Sequence, residues 1–353
     1  MKSRAQALDV VRAAAALAVL SYHVWLYRLP NPSKPTRDGW AEYAVFEMRI
    51  GLVVFFVLSG YLLYRPLLAR FDGAPRGVSL GTYYWRRIVR IVPGYYLAIL
   101  GSIALLWGIS ETPGVRLPDA SDLWMFAFFL QNYSRATLLT LDAPTWTLAV
   151  QAAFYLAFPL FLLPATRMGR RAWVVPAVLV IVGILFNWVA YEQAWGPIAR
   201  LSMLAMLPYL ALGMLIAHLP PPATRRTTVT IMLVGVVLAI GNGVWHAANV
   251  GPWALGVFRD TPGAIGYALI IFACAQPLIG AARSLRPAEA FGRWSYGVFL
   301  WHLPLLLFLK GHDLMPSSAW LTWLLLIAIA AAFGAAEWRF VERPLLARSR
   351  GSK

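Results

Sequence analysis

The sequence predicts an all-α, polytopic integral membrane protein with about ten transmembrane helices and cytoplasmic N and C termini. Three observations carry this: an apolar composition, repeated apolar runs of spanning length, and basic residues gathered between those runs. Of the 353 residues, 60% are hydrophobic and only 13% are charged, against about 25% charged in soluble domains. A net charge of +16 would point a soluble protein toward nucleic acid. Lys and Arg clustered between apolar runs report topology instead, so no nucleic-acid partner is expected. The lone Cys274 excludes an intrachain disulfide and a Cys-based zinc site.

Taken in order, apolar runs near the roughly 20-residue spanning length cover 8 to 28, 43 to 66, 91 to 109, 145 to 164 and 172 to 190. Five more cover 200 to 218, 228 to 246, 262 to 280, 292 to 310 and 319 to 340. The run from Leu123 to Leu130 is too short to span and is expected to lie in the interface or re-enter. The whole chain, 1–353, is expected to be a single multi-pass domain of the cell membrane with no appended soluble domain.

Loop charge sets orientation, because cytoplasmic loops are enriched in Lys and Arg. Arg86, Arg87 and Arg90, then Arg167 and Arg171, Arg225 and Arg226, Arg286 and Arg293, and Arg343 and Arg348 fall on one side. Most acids fall on the other: Glu42, Glu111, Asp119, Asp122, Asp142, Glu192, Asp260 and Asp313. Trp25, Tyr27, Trp40, Trp124, Trp146 and Trp320 lie near predicted helix ends, as interfacial anchors do.

An ionisable residue inside a spanning helix is costly to bury and is by default a functional candidate. The first helix carries two, Arg12 and His23. Their spacing corresponds to about three helical turns, roughly 16 Å of rise, and only about 20° of angular offset. They share a face but cannot touch. A neutral His can take a proton from a hydroxyl near physiological pH. The bland alternative makes Arg12 a snorkelling anchor and His23 a helix-packing hydrogen bonder.

The pair sits in Leu8-Asp9-Val10-Val11-Arg12 and Ser21-Tyr22-His23, where the sequence resembles the Arg-x10-His signature of the acyltransferase 3 family of membrane O-acyltransferases. Four further stretches resemble the same family in order. Gly51 to Gly60, with Ser59, resembles the second-helix motif, and Tyr84 to Pro93, with Arg86, Arg87 and Arg90, resembles the basic segment leading into the third helix. Trp146 to Pro159, with Gln151 and Tyr155, resembles the Trp-Ser-Leu-x-Val-Glu segment. Ser295-Tyr296 with His302, and Phe340-Val-Glu342-Arg343-Pro344, resemble the late motifs. In two places the chain departs: Gln151 stands where a Glu is usual, so that side chain can only orient a group by hydrogen bonds, and Val53 stands where many members have Asp.

The resemblance implies transfer of an acyl group, acetyl or another short chain, from acyl-CoA to a hydroxyl. The implied acceptor is a cell-envelope glycan or glycolipid, or alternatively a secondary metabolite such as a macrolide. Acyl-CoA is then a donor substrate, with no bound cofactor and no metal. His23 is the implied base and Arg12 its donor-side partner, with Asp9 beside it in the motif. Arg86, Arg87 and Arg90 would hold the phosphates of acyl-CoA through charge-assisted hydrogen bonds; their other reading is an anchor for anionic lipid. Arg49 or Gln151 could stabilise the oxyanion. Ser295 and His302 share a helical face and would line the donor path or pack helices. Glu337, Arg339, Glu342 and Arg343 are expected to pair with one another. A transporter or flippase that makes no bond is the rival of another class.

Overall fold

The structure is a computed structural model that describes residues 2–32, 35, 37, 39–71, 80–276 and 283–351. Every regular element among the described residues is helical. In order they are α1 (Lys2–Arg28), α2 (Trp40–Glu47), α3 (Gly51–Phe71), α4 (Leu80–Leu106), α5 (Leu123–Ala127), α6 (Trp146–Met168), α7 (Val174–Glu192) and α8 (Pro197–Arg200). There follow α9 (Met203–Ile216), α10 (Arg225–Ala248), α11 (Pro252–Phe258), α12 (Thr261–Cys274), α13 (Arg286–Gly311), α14 (Ala319–Glu337) and α15 (Arg343–Gly351).

The all-helical expectation is met, and the expected count of ten is not reached among the described residues. Among the described residues eight helices are long and apolar enough to cross a membrane, or nine if the pair α11 and α12, bent by 46°, forms one broken span. The expected run 292 to 310 does form a helix, α13. Its Arg286, Glu289, Arg293, His302 and Lys310 leave it less apolar than the others. Part of the expected run 262 to 280 lies outside the described residues. The short run beginning at Leu123 yields only the five-residue α5 and does not span.

Local chemistry explains several boundaries. α1 stops at Arg28, just before Pro30 and Pro32, which cannot continue a helix. α9 and α10 begin at Ser202 and Thr224, whose hydroxyls accept from the backbone N–H groups of Ala205 and Thr227. Between α14 and α15 the backbone widens into a π-turn over Trp338–Glu342, a feature that re-aims side chains.

The chain divides into two compact units. The first comprises Met1–Ala15, Ile50–Val78 and Ala153–Glu289. Within it α3 packs along α9, α7 along α9, and α10 along α12. Small residues set these contacts, as they must where lipid offers no hydrophobic drive between helices. A Cβ at Gly60 would collide with the Leu210 carbonyl, and one at Gly213 with the Val57 carbonyl. Buried amides add polar glue: Asn187 Nδ2 donates to the Ala205 carbonyl at 3.2 Å, and the Gly263 N–H donates to Asn242 Oδ1 at 3.2 Å.

The second unit comprises Ala16–Arg49, Ser79–Ala152 and Ala290–Lys353. Here α13 meets α14 where Gly297 faces Gly334. α4 meets α13 where the Trp301 ring lies against Gly101. The end of α1 is tied down by Arg28, which donates to the carbonyls of Pro316 and Ser317 and to Thr322 Oγ1. Trp323 Nε1 donates to Ser21 Oγ at 2.7 Å, and Lys310 Nζ to the Tyr27 carbonyl at 2.8 Å. These bonds hold the last turns of α1 against α13 and α14.

Candidate active site

His23 and His302 meet in the second unit. His302, on α13, is buried, and its Nδ1 lies 2.7 Å from the Phe299 carbonyl. A carbonyl can only accept, so this nitrogen carries the proton and His302 Nε2 is left with a lone pair. That lone pair lies 3.1 Å from His23 Nδ1, which is also 2.9 Å from the Val19 carbonyl. His23 Nδ1 therefore carries a proton too, shared between two acceptors. The neutral tautomer that results has an unprotonated Nε2. That atom has no hydrogen-bond partner among the described residues, and His23 is only half-buried. The pair presents one free imidazole base whose ring is fixed from behind.

Aromatic rings enclose this base. Tyr22 packs edge-on against His23 with ring centres 4.9 Å apart, and Tyr27 lies 6.1 Å away, one helical turn further along. Tyr22 also meets Phe46 at 6.0 Å. The guanidiniums of Arg37 and Arg49 lie over the Phe46 ring at 4.3 and 5.2 Å, and Arg49 is paired with Glu47 at 3.3 Å. Arg49 thus stands behind Tyr22 through Phe46.

In the first unit, Arg12 is ion-paired to Asp9 at 2.5 Å, a turn apart on α1. Ser59 is half-buried on α3 next to Gly60, and Tyr155 is buried on α6 against Phe154. The glycine of that Ser-Gly pair is explained by the α3–α9 approach.

The basic segment of α4 belongs to the second unit and is not uniform. Arg86 is exposed and Arg87 half-buried, whereas Arg90 pairs with Glu342 at 3.2 Å. The π-turn brings Glu342 inward to that position. The expected mutual pairing of Glu337, Glu342, Arg339 and Arg343 is therefore corrected. Glu342 takes Arg90, and Glu337 accepts from Trp301 Nε1 at 2.7 Å. Arg339 and Arg343 lie over the rings of Phe340 and Trp338. Glu337 fits because Gly94 and Gly297 leave its carboxylate room. The nearby Ser295 is buried, and Tyr296 donates to the Ile91 carbonyl at 2.7 Å.

The loop between α5 and α6 was not foreseen as part of a site. Its Gln131, Asn132, Thr137, Asp142 and Thr145 are all buried. Buried polar groups need partners, and the loop supplies acceptors for its side-chain donors internally. Thr137 Oγ1 donates to the Gln131 carbonyl, Gln131 Nε2 to the Thr145 carbonyl, and Asn132 Nδ2 to the Trp146 carbonyl. The last bond fixes the start of the Trp146–Gln151 turn of α6. Gln151 itself is half-buried on that helix. Phe129, Leu139 and Leu141 adopt left-handed backbone angles, with φ of 59°, 59° and 58°. Such angles are rare for non-glycine residues and concentrate where function constrains the chain.

The acyltransferase 3 family model, described as an acyltransferase domain, matches residues 6–336. Over 96% of its length the chain is 24% identical to the peptidoglycan O-acetyltransferase OatA of Listeria monocytogenes, covering 55% of that protein. It is 26% identical over 96% of its length to the putative peptidoglycan O-acetyltransferase YrhL of Bacillus subtilis, covering 54%. It is 22% identical over 98% of its length to the O-acetyltransferase OatA of Staphylococcus aureus, covering 57%. The chain thus spans about half the length of the relatives it matches. No solved structure matches. With one family model accounting for residues 6–336, and both the His23 helix and the His302 helix inside that stretch, this chain belongs to the acyltransferase 3 family.

Proposed function

We propose that the chain is a multi-pass O-acyltransferase of the cell membrane that moves an acyl group, acetyl in the first instance, from acyl-CoA to a hydroxyl of a cell-envelope glycan. The observation that carries this reading is the free Nε2 of His23, with its tautomer set by Val19 and His302. The names of the relatives support a glycan acceptor, since the Listeria protein is named a peptidoglycan O-acetyltransferase and the Bacillus protein a putative one.

In the reaction, His23 Nε2 takes the proton of the acceptor hydroxyl as its oxygen attacks the thioester carbonyl. The new C–O bond forms, the C–S bond breaks, and the proton passes to the departing thiolate, giving an ester and coenzyme A. His302 is a positioning residue: its lone pair holds His23 Nδ1–H and shares the charge while His23 is protonated. Arg86, Arg87 and Arg90 are the candidate phosphate ligands on the cytoplasmic side, with Arg86 the exposed one and Arg90 also paired with Glu342. Arg12, held by Asp9, lies on the His23 face of α1 toward that side. Arg49, backed by Glu47, is the candidate cation for the oxyanion, and Gln151 is the alternative amide donor.

The test is mass spectrometry of envelope glycans and extracted metabolites from cells with and without the protein. A glycan species heavier by one acyl group only when the protein is present supports the reading. Identical glycan profiles together with an acylated small metabolite would replace the acceptor, and movement of an unmodified glycan across the membrane would favour a transporter.

A further inference from the structure

Asp142 is used in an unusual way. It occupies the N-cap position of the turn leading into α6, where Asp normally accepts a hydrogen bond from the helix N-terminus, yet its side chain makes no capping bond. Its backbone carbonyl takes the bonds from Thr145 N and Oγ1 instead. Leu141, just before it, is in the left-handed region, and the carboxylate is turned inward. It is fully buried, and neither oxygen has a hydrogen-bond partner among the described residues. The side-chain donors of the surrounding loop are bonded to its carbonyls, whereas the Asp142 carboxylate, like Gln131 Oε1, is a buried acceptor with no hydrogen-bond partner among the described residues. Tyr27 and Tyr95 lie within electrostatic reach of it.

We propose that Asp142 is an acceptor-binding residue of the His23 site, taking hydrogen bonds from hydroxyls of a sugar next to the hydroxyl that is acylated, with Tyr27 completing the subsite. Tyr27 connects the two groups: it is one turn past His23 on α1, its ring packs 6.1 Å from the His23 ring, and it feels the Asp142 charge. A carboxyl offers lone pairs on both oxygens, and one O–H donor when protonated, so it suits a polyol, whose hydroxyls both donate and accept. The loop that encloses the carboxylate must open to admit the sugar, and its left-handed Leu139 and Leu141 keep the enclosed state under backbone strain. Burial without partners also pushes the Asp142 carboxyl well above the usual carboxylate range. Such a group costs the fold stability and is kept for what it binds. This proposal rests on the acyl-transfer reading.

The test uses the full chain in lipid nanodiscs, labelled acetyl-CoA as donor and soluble peptidoglycan disaccharides as acceptor, with thermal unfolding measured in parallel. Asp142→Asn should raise the acceptor KM about tenfold, the loss of one good hydrogen bond to a charged group. It should leave the donor KM unchanged and raise the melting temperature by about 2 °C or more, because a buried uncompensated carboxylate has gone. Tyr27→Phe, which keeps the ring, should raise the acceptor KM in the same selective way. An unchanged acceptor KM in both variants, or a fall in melting temperature for Asp142→Asn, would overturn the proposal and make Asp142 a structural residue. Absence of label transfer by the wild-type chain to any glycan would instead overturn the acyl-transfer reading itself.

Discussion

His302 Nε2 lies 3.1 Å from His23 Nδ1, joining residues 279 positions apart in the sequence. The contact turns two separately costly side chains into a single base with a defined lone pair. His302→Ala should therefore lower the turnover of acyl transfer by about 10²-fold, because the His23 ring loses its fixed orientation. Acyl-CoA affinity should be unaffected. His302→Asn, whose side-chain carbonyl can accept from His23 Nδ1–H, should recover part of the loss. Steady-state kinetics on both variants decide the matter, and near-wild-type turnover in His302→Ala would remove His302 from the site.

The α4 arginines should separate by role. Replacing Arg86 with Gln should raise the KM for acyl-CoA while leaving thermal stability unchanged, since its side chain is exposed. Arg90→Gln takes the ion-pair partner from the buried Glu342 and should cost about 1–3 kcal/mol of stability. Unfolding curves and donor titrations on the same preparations test both halves.

A single methyl should be enough to disturb the first unit. A Cβ at Gly60 meets the Leu210 carbonyl of α9 directly, so Gly60→Ala should destabilise by roughly 1–3 kcal/mol through forced separation of α3 and α9. Gly241→Ala, on α10, has nothing within 4 Å of the new Cβ and should be neutral or slightly stabilising. Equal melting temperatures for the two variants would contradict the close helix approach.

Asp142 gives a pH signature. Its carboxyl is held well above the usual range in the fold, so between the unfolded and folded values the native state binds the extra proton. Stability is then greatest below the unfolded value and falls as pH rises toward the folded one. The titratable neighbours in electrostatic contact, Tyr27 and Tyr95, keep one charge state below the phenol range. Melting temperature should decline with rising pH above about 4 in the wild type, and the slope should flatten in Asp142→Asn. Parallel slopes would show that another group titrates.

Much of this was readable from sequence because the bilayer enforces simple rules. Spanning-length apolar runs located α1, α3, α4, α6, α7, α9, α10 and α14, and the cost of charge in lipid singled out Arg12 and His23. Counting spans is least legible where polarity and apolarity mix within one helix, as in α13, or where a span bends, as between α11 and α12. Partner choice was less legible. Nothing in the spacing of Glu342 revealed that a π-turn would aim it at Arg90, or that Glu337 would accept from Trp301. His302 was visible as a mid-helix histidine, but its meeting with His23 depends on how α13 packs on α1. Asp142 read as one more acid in a loop, because only the fold reveals that it neither caps its helix nor reaches water.

The most direct test of the central claim is label transfer from labelled acetyl-CoA to peptidoglycan fragments by the chain in nanodiscs, comparing wild type with His23→Ala. Loss of turnover by about 10²–10⁴-fold, with acetyl-CoA binding retained, is the result predicted for a base at His23 Nε2. Undiminished transfer by His23→Ala would contradict it.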